Sequence, residues 1–125
     1  MSEIKVKRVY EDTSPGDGRR VLVDRLWPRG VRKDRIDDWA KDLAPSDELR
    51  REFHGHDFDF DEFRARYRVE LEGKEEQMKE LLTSTDGTLT LLFGLKNEQQ
   101  NNATVLAEAL RDLGGCRPLR QRFLR

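Results

Sequence analysis

The stretch VLVDRLWPRG, residues 21–30, joins a short apolar run to a loop that contains a Trp, a Pro and a Gly. The continuous apolar run at residues 21–23 is typical of a strand that is buried on both faces of a sheet. In the loop, Pro28 fixes one backbone angle and Gly30 permits a tight turn. The stretch therefore predicts an inner strand followed by a rigid loop at its carboxyl end.

Two further stretches predict the rest of the sheet. Residues 4–10, IKVKRVY, begin by alternating apolar residues with lysines, which is the pattern of a half-exposed edge strand. Residues 88–93, TLTLLF, predict a second inner strand. Residues 36–82 show helix signals and no strand signal, and this length allows a crossover that leaves strands 20–24 and 88–93 parallel. The connection after the first strand is only about ten residues long, so that strand could run in either direction.

Helix signals complete the domain. Ser46 is placed to cap a helix that follows it, and Asp59 opens a capping-box pattern ahead of a second helix. Apolar residues at helical spacing predict two more helices, around residues 78–82 and 103–110. The order of elements predicts an α/β fold, in which the 125 residues form a single domain with a small, mostly parallel sheet flanked by helices.

The amino-acid composition limits which classes of binding partner are expected. The chain carries 24 basic and 25 acidic residues, so its net charge of −1 favours neither nucleic acid nor a membrane as partner. Both ends of the chain are basic and its middle is acidic. The single cysteine excludes an intrachain disulfide and a zinc site made only of cysteines, and with no signal peptide or apolar span it indicates a cytoplasmic protein.

Two loops should meet at one edge of the sheet. Ligands of open α/β sheets bind outside the carboxyl ends of the strands, and loops 24–33 and 94–102 leave the same edge if the inner strands are parallel. The last helix would direct its positive dipole end to this edge, which favours an anion, and Arg, Lys and Asn are suited to hold one. The predicted ligand-binding residues are Arg25, Trp27, Arg29, Lys33, Lys96, Asn97 and Asn101.

The same residues also have a purely structural interpretation, in which they bind no ligand. Asp24 and Arg25 would form an ordinary ion pair, Trp27 would cover the sheet edge, and Arg29 would be a solvated surface residue. Asn97 would be no more than the N-cap of the last helix.

Signals for catalysis and for metals are weak. His54 and His56 with Asp57 match no strong metal motif, so no metal site is expected. Ser46 is more simply a cap than a nucleophile, because no partnered base is evident. Walker, GxGxxG, HExxH and GxSxG motifs are absent, so the catalytic residues, the cofactor and the occurrence of catalysis all stay open.

Long stretches of the chain resemble the YeaO-like proteins, a family called domain of unknown function 488. The resemblance covers residues 6–35, 39–57, 62–71 and 88–110, and the run RLWPRG at residues 25–30 is the most specific part. The family is bacterial, archaeal and cytosolic, and the resemblance implies no particular activity.

The chain departs from the family pattern in its last block. Phe93 stands where the family has Tyr, Asn97 where it has Asp, and Asn102 where it has His, while Lys96 and Asn101 keep the usual types. Three groups that can transfer protons are thus replaced by groups that cannot.

These observations favour a protein that binds an anionic small molecule, a nucleotide or a phosphorylated metabolite, at the carboxyl edge of its sheet. The alternative is a non-catalytic interaction module that contacts an acidic protein or nucleic-acid surface through its basic ends. The oligomeric state does not follow from the sequence.

Overall fold

The structure, a computed structural model, describes residues 3–55, 59–94 and 101–114, without the side chains of residues 53–55 and 114. Four strands and four α-helices lie in this part of the chain. They are β1 (Glu3–Arg8), β2 (Arg19–Leu22), β3 (Asp38–Trp39), α1 (Asp47–Gly55), α2 (Phe60–Glu72), α3 (Glu75–Thr83), β4 (Thr88–Phe93) and α4 (Asn102–Gly114).

The four strands form one sheet in the order β1-β4-β2-β3, and each pair of neighbours is parallel. The predicted parallel arrangement of the two inner strands is confirmed, with Val21 beside Leu91 and Leu22 beside Leu92. The first strand is an edge strand, as its alternating pattern indicated, and its direction, which the sequence left open, is parallel to β4. The fold is therefore α/β with a small parallel sheet.

The strand β3 was missed, so the prediction that residues 36–82 contain no strand is wrong. This strand has only two residues, Asp38 and Trp39, and both are exposed. Two residues cannot show the alternation or the apolar run by which strands are predicted, and β3 forms here because it continues the sheet beside β2.

Side chains on the two faces of the sheet enter two separate apolar clusters. Val21 and Leu91 point toward the helices, in the larger cluster, with residues from all four of them. Leu22 and Leu92, one position further along each strand, point to the opposite face. Alternate strand residues thus face opposite ways, which explains why residues 21–23 and 91–93 form continuous apolar runs.

The loop between β2 and β3 covers this second face. Val31, Ile36 and Trp27 pack against Leu22 and Leu92. Gly30 has a φ of 79°, which L side chains adopt at a cost, so the glycine allows the turn that brings the loop back over the sheet. The predicted loop therefore contributes Trp27 and Val31 to the apolar cluster, while Arg29 is exposed on the surface.

Two of the predicted helix caps are present. Leu49 N–H donates to the Ser46 hydroxyl at 3.2 Å, and Asp61 N–H donates to the Asp59 carboxylate at 2.9 Å. The Ser46 hydroxyl also donates to Glu70 at 2.6 Å, so this cap joins α1 to α2. Among the described helices, none has both the length and the apolar character that crossing a membrane requires.

Candidate functional site

Three chain segments are joined where β2 and β4 end. The Asp24 carboxylate follows β2, and it accepts a hydrogen bond of 2.8 Å from the N–H of Gly94, the residue after β4. The Asn102 side chain, on the first residue of α4, donates to Asp24 at 3.1 Å and to the carbonyl of Val23 at 2.8 Å. The carboxyl edge of the sheet and the start of the last helix are therefore held together by Asp24 and Asn102.

The surroundings of Asp24 make its carboxyl group unusual. Burial raises the pKa of Asp24 above the ordinary value, and the hydrogen bonds from Asn102 and Gly94 offset only part of this effect. A Cβ atom at Gly94 would lie 3.0 Å from an Asp24 carboxylate oxygen, so a residue larger than glycine would crowd the carboxyl group.

A cavity of about 250 Å³ opens beside these residues. Its lining combines two guanidinium groups and the Asp24 carboxyl group with several apolar side chains. The lining residues are Tyr10, Asp24, Arg25, Leu26, Trp27, Pro28, Pro45, Arg50, Phe63, Gly94 and Asn102. Such a mixture of a few polar groups with apolar walls is typical of small-molecule sites.

The two guanidinium groups of the cavity share one counter-ion. Arg25 Nε lies 3.4 Å from Asp47 Oδ1, and Arg50 Nη2 lies 3.7 Å from the same oxygen. The structural interpretation of Arg25 as the ion-pair partner of Asp24 is therefore wrong. The Asp24 carboxylate is occupied by Gly94 and Asn102, while Arg25 turns toward the first turn of α1.

Trp27 braces the loop on one side of the cavity. Its indole N–H donates to the carbonyl of Val31 at 2.9 Å, which closes the turn around Gly30. Its ring packs edge-on against Trp39 with 5.3 Å between centroids, and the Trp39 indole N–H donates to the carbonyl of Asp24. These contacts fix the backbone that presents Arg25 to the cavity.

Residues 3–114 match the family DUF488-N3i, which is described as the inactive DUF488-N3 subclade. The chain belongs to this family. The match spans nearly all of the chain, and it confirms the resemblance to the YeaO-like proteins of domain of unknown function 488.

Similar proteins occur in distant bacteria. The chain is 47% identical over 113 residues to the uncharacterized protein YeaO of Escherichia coli (strain K12), an alignment that covers 88% of this chain and 98% of YeaO. It is 41% identical over 111 residues to the uncharacterized proteins Mb3100c of Mycobacterium bovis and Rv3073c of Mycobacterium tuberculosis, covering 87% of this chain and 94% of each relative. No solved structure matches the chain.

For this DUF488-N3i chain, the structure brings together only some of the predicted ligand-binding residues. Arg25 and Trp27 line the cavity. Arg29 and Lys33 are exposed and are not among the lining residues. Arg29 meets the site only through its backbone carbonyl, which accepts a hydrogen bond of 3.0 Å from the Tyr10 hydroxyl.

The remaining predicted residues lie near the start of α4. Asn101 is fully buried, and its side-chain oxygen accepts a hydrogen bond of 2.9 Å from the N–H of Thr104, so it caps the helix. Lys96 and Asn97 lie outside the described residues. Whether any of the predicted residues binds a ligand stays a prediction.

Sequence reasoning missed four lining residues whose side chains carry hydrogen-bonding groups: Tyr10, Asp24, Arg50 and Asn102. Asp24 was considered only as an ion-pair partner, and Asn102 only as a departure from the family pattern. Arg50 lies on α1, distant in sequence from both predicted loops, and only the packing of that helix brings it to the cavity. For Asn102, the signal in the sequence was its position, where the family has His.

The other candidates are the possible metal ligands, the lone cysteine and the basic tail. The described residues contain no group of three or more side chains that could hold a metal ion. The side chains of His54, His56 and Asp57, the lone Cys116 and the basic residues of the C-terminal tail lie outside the described part of the chain.

Proposed function

We propose that this protein binds a small anionic molecule, such as a nucleotide or a phosphorylated metabolite, in the cavity at the carboxyl edge of its sheet, and does not turn it over. The observation that carries the proposal is the presence of two guanidinium groups, those of Arg25 and Arg50, in one largely apolar cavity. Arginine binds carboxylates and phosphates through a planar set of donors, and apolar walls strengthen such contacts by excluding water.

Arg50 retains donor capacity for a ligand. Its Nε–H is buried and makes no hydrogen bond to any described residue, and its pairing with Asp47 is long at 3.7 Å. The Arg50 side chain is 30% exposed and lines the cavity, so a ligand oxygen can reach its guanidinium group. Next to Arg50, the rings of Phe63 and Trp27 provide apolar surface for the non-ionic part of the ligand.

Binding without turnover fits the protonation chemistry of the cavity. Both oxygens of Asp24 accept hydrogen bonds, from Gly94 and from Asn102, so its carboxyl group has a structural role in joining the sheet edge to α4. Asn102 stands where the family has His, and an amide does not transfer protons near neutral pH. The description of the matching subclade as inactive supports the same conclusion.

Thermal-shift screening of nucleotides and phosphorylated metabolites tests the proposal. At least one compound should raise the melting temperature of the wild type. Arg25→Gln and Arg50→Gln should each lower its affinity about tenfold or more, because hydrogen bonds to charged groups contribute about 1.5–3 kcal/mol. Isothermal titration with the compound found would measure the loss.

Arg32→Gln is the matched control, since Arg32 is exposed, pairs only locally with Asp34 and does not line the cavity. It should bind like the wild type. The proposal fails if no compound stabilises the wild type, or if Arg25→Gln and Arg50→Gln bind the compound as tightly as Arg32→Gln does.

We also propose a cytoplasmic location, supported by the single cysteine. The interaction module remains the alternative function. It depends on the basic ends of the chain, and the C-terminal arginines lie outside the described residues. At the other end, Lys7 is engaged within the protein by Asp17 at 3.1 Å, so no described contact favours this alternative.

A further inference from the structure

A carboxylate lies between the two guanidinium groups of the cavity. Asp47 Oδ1 is 3.4 Å from Arg25 and 3.7 Å from Arg50, and the Asp47 side chain is 52% exposed. Both distances exceed those of normal hydrogen bonds, so Asp47 acts as a nearby counter-ion and leaves the guanidinium donors available. A ligand held by the same two arginines would therefore meet the negative charge of Asp47.

The net charge of Arg25, Arg50 and Asp47 limits the charge of a ligand that these residues can hold. The two arginines contribute two positive charges and Asp47 one negative charge, so one positive charge is left to be neutralised. A monoanion neutralises it, whereas a dianion brings an excess negative charge close to Asp47. Asp24, when ionised, acts in the same direction, because its carboxyl group lines the same cavity.

We propose, building on the anion-binding function above, that Asp47 determines the specificity of the site and selects a monoanionic group, a carboxylate or a phosphodiester, over a dianionic phosphate monoester. Among nucleotides and phosphorylated metabolites, the site would then favour those that present a carboxylate or a phosphodiester. Asp47 is well placed for this role. It lies in the first turn of α1, which Ser46 caps and Glu70 holds against α2, so the position of its backbone is fixed.

The proposed role of Asp47 predicts how much its removal changes the affinity for ligands of different charge. The Coulomb energy between Asp47 and a ligand is proportional to the charge of the ligand, so removing Asp47 helps a dianion by twice the free energy that it helps a monoanion. In affinity, the factor gained by a dianion is the square of the factor gained by a monoanion. A merely structural role for Asp47 predicts no such relation.

Titration of two aromatic anions at pH 8 tests this relation. The probes are benzoate, a monoanion, and phenyl phosphate, a dianion, whose rings suit the apolar walls. Asp47→Asn should bind benzoate about threefold more tightly than the wild type does, as expected for loss of a partly exposed charge. It should bind phenyl phosphate about tenfold more tightly, because this gain is the square of the first.

Glu48→Gln is the matched control. Glu48 carries the same charge on the same helical turn, but no described ion pair joins it to Arg25 or Arg50, and it acts electrostatically on Arg66. Its effect on both probes should be small and nearly equal.

The outcomes separate this inference from the proposed function. Suppose that Asp47→Asn increases affinity no more than Glu48→Gln does, or increases it equally for both probes, while Arg50→Gln weakens binding. Asp47 then does not set specificity, but the cavity still binds anions. If neither probe binds the wild type or Asp47→Asn, both the specificity role and the proposed function are overturned.

Discussion

At the scale of single residues, Asp17 is a buried charged group that is held by several partners. Its side chain is only 4% exposed and accepts hydrogen bonds of 3.1 Å from Lys7 and 2.9 Å from the Ser14 hydroxyl, together with an ion pair to Arg20. Burial alone would raise the pKa of Asp17, but the hydrogen bonds from Lys7, Ser14 and Arg20 outweigh it and lower the pKa to about 2. Asp17 thus joins β1 and β2 to the turn between them.

Asp17→Asn should destabilise the protein by about 2–4 kcal/mol at pH 7, because it leaves Lys7 and the buried Arg20 without their counter-ion. Urea unfolding at pH 7 measures this cost. Asp34→Asn removes an exposed ion pair with Arg32 and should change stability by less than about 1 kcal/mol. Equal effects of the two substitutions would show that the Asp17 cluster contributes no more than a surface pair.

The same cluster predicts a dependence of stability on pH. The pKa of Asp17 is lower in the folded protein than the unfolded value of 3.8, so its contribution is fully present above pH 3.8 and is lost as the pH falls toward 2. The stability difference between the wild type and Asp17→Asn should therefore shrink between pH 4 and pH 2. A difference that stays constant over this range would contradict the lowered pKa.

At the scale of elements, the starts of β2 and β4 are packed closely at Gly18. Gly18 has a φ of 63°, and a Cβ atom there would lie 2.3 Å from the backbone oxygen of Thr88. Gly30, in the loop after β2, also has a positive φ, 79°, but a Cβ atom there would meet no atom within 4 Å. Alanine substitutions at the two glycines therefore distinguish the cost of backbone strain from the cost of steric overlap.

Gly30→Ala should cost about 1–2 kcal/mol, from backbone strain alone. Gly18→Ala should cost about 3 kcal/mol or more, because the methyl group also overlaps the backbone of Thr88 and forces β2 and β4 apart. Thermal unfolding of the two variants measures the difference. If Gly18→Ala is no less stable than Gly30→Ala, the close approach of these two strands is not present in solution.

The elements differ in how well the sequence predicts them. The inner strands are predictable because burial on both faces requires a continuous apolar run, and Ser46 and Asp59 mark helix starts through local hydrogen bonds that depend only on nearby residues. The two-residue β3 is not predictable, because its pairing with β2 is a tertiary contact. The capping of α4 by Asn101 depends on where the helix begins, which the sequence did not indicate.

At the scale of the whole molecule, the site forms where segments distant in sequence meet. Arg25 and Trp27 were predictable because they follow a buried strand, and the carboxyl edge of a parallel sheet is where ligands bind. Arg50 was not predictable as a lining residue, because its place in the cavity depends on how α1 packs against the rest of the fold. The ion pair of Arg25 with Asp47, and not with Asp24, likewise depends on that docking.

The central claim is that the cavity beside Asp24 is an anion-binding site. Titration of the ¹⁵N-labelled protein with benzoate, followed by ¹H–¹⁵N correlation spectra, tests it most directly. We predict saturable shifts of the backbone amides of Arg25, Gly94 and Asn102, with little change at Thr88 at the opposite edge of the sheet. Shifts confined to residues away from the cavity, or no saturable shift at all, would contradict the claim.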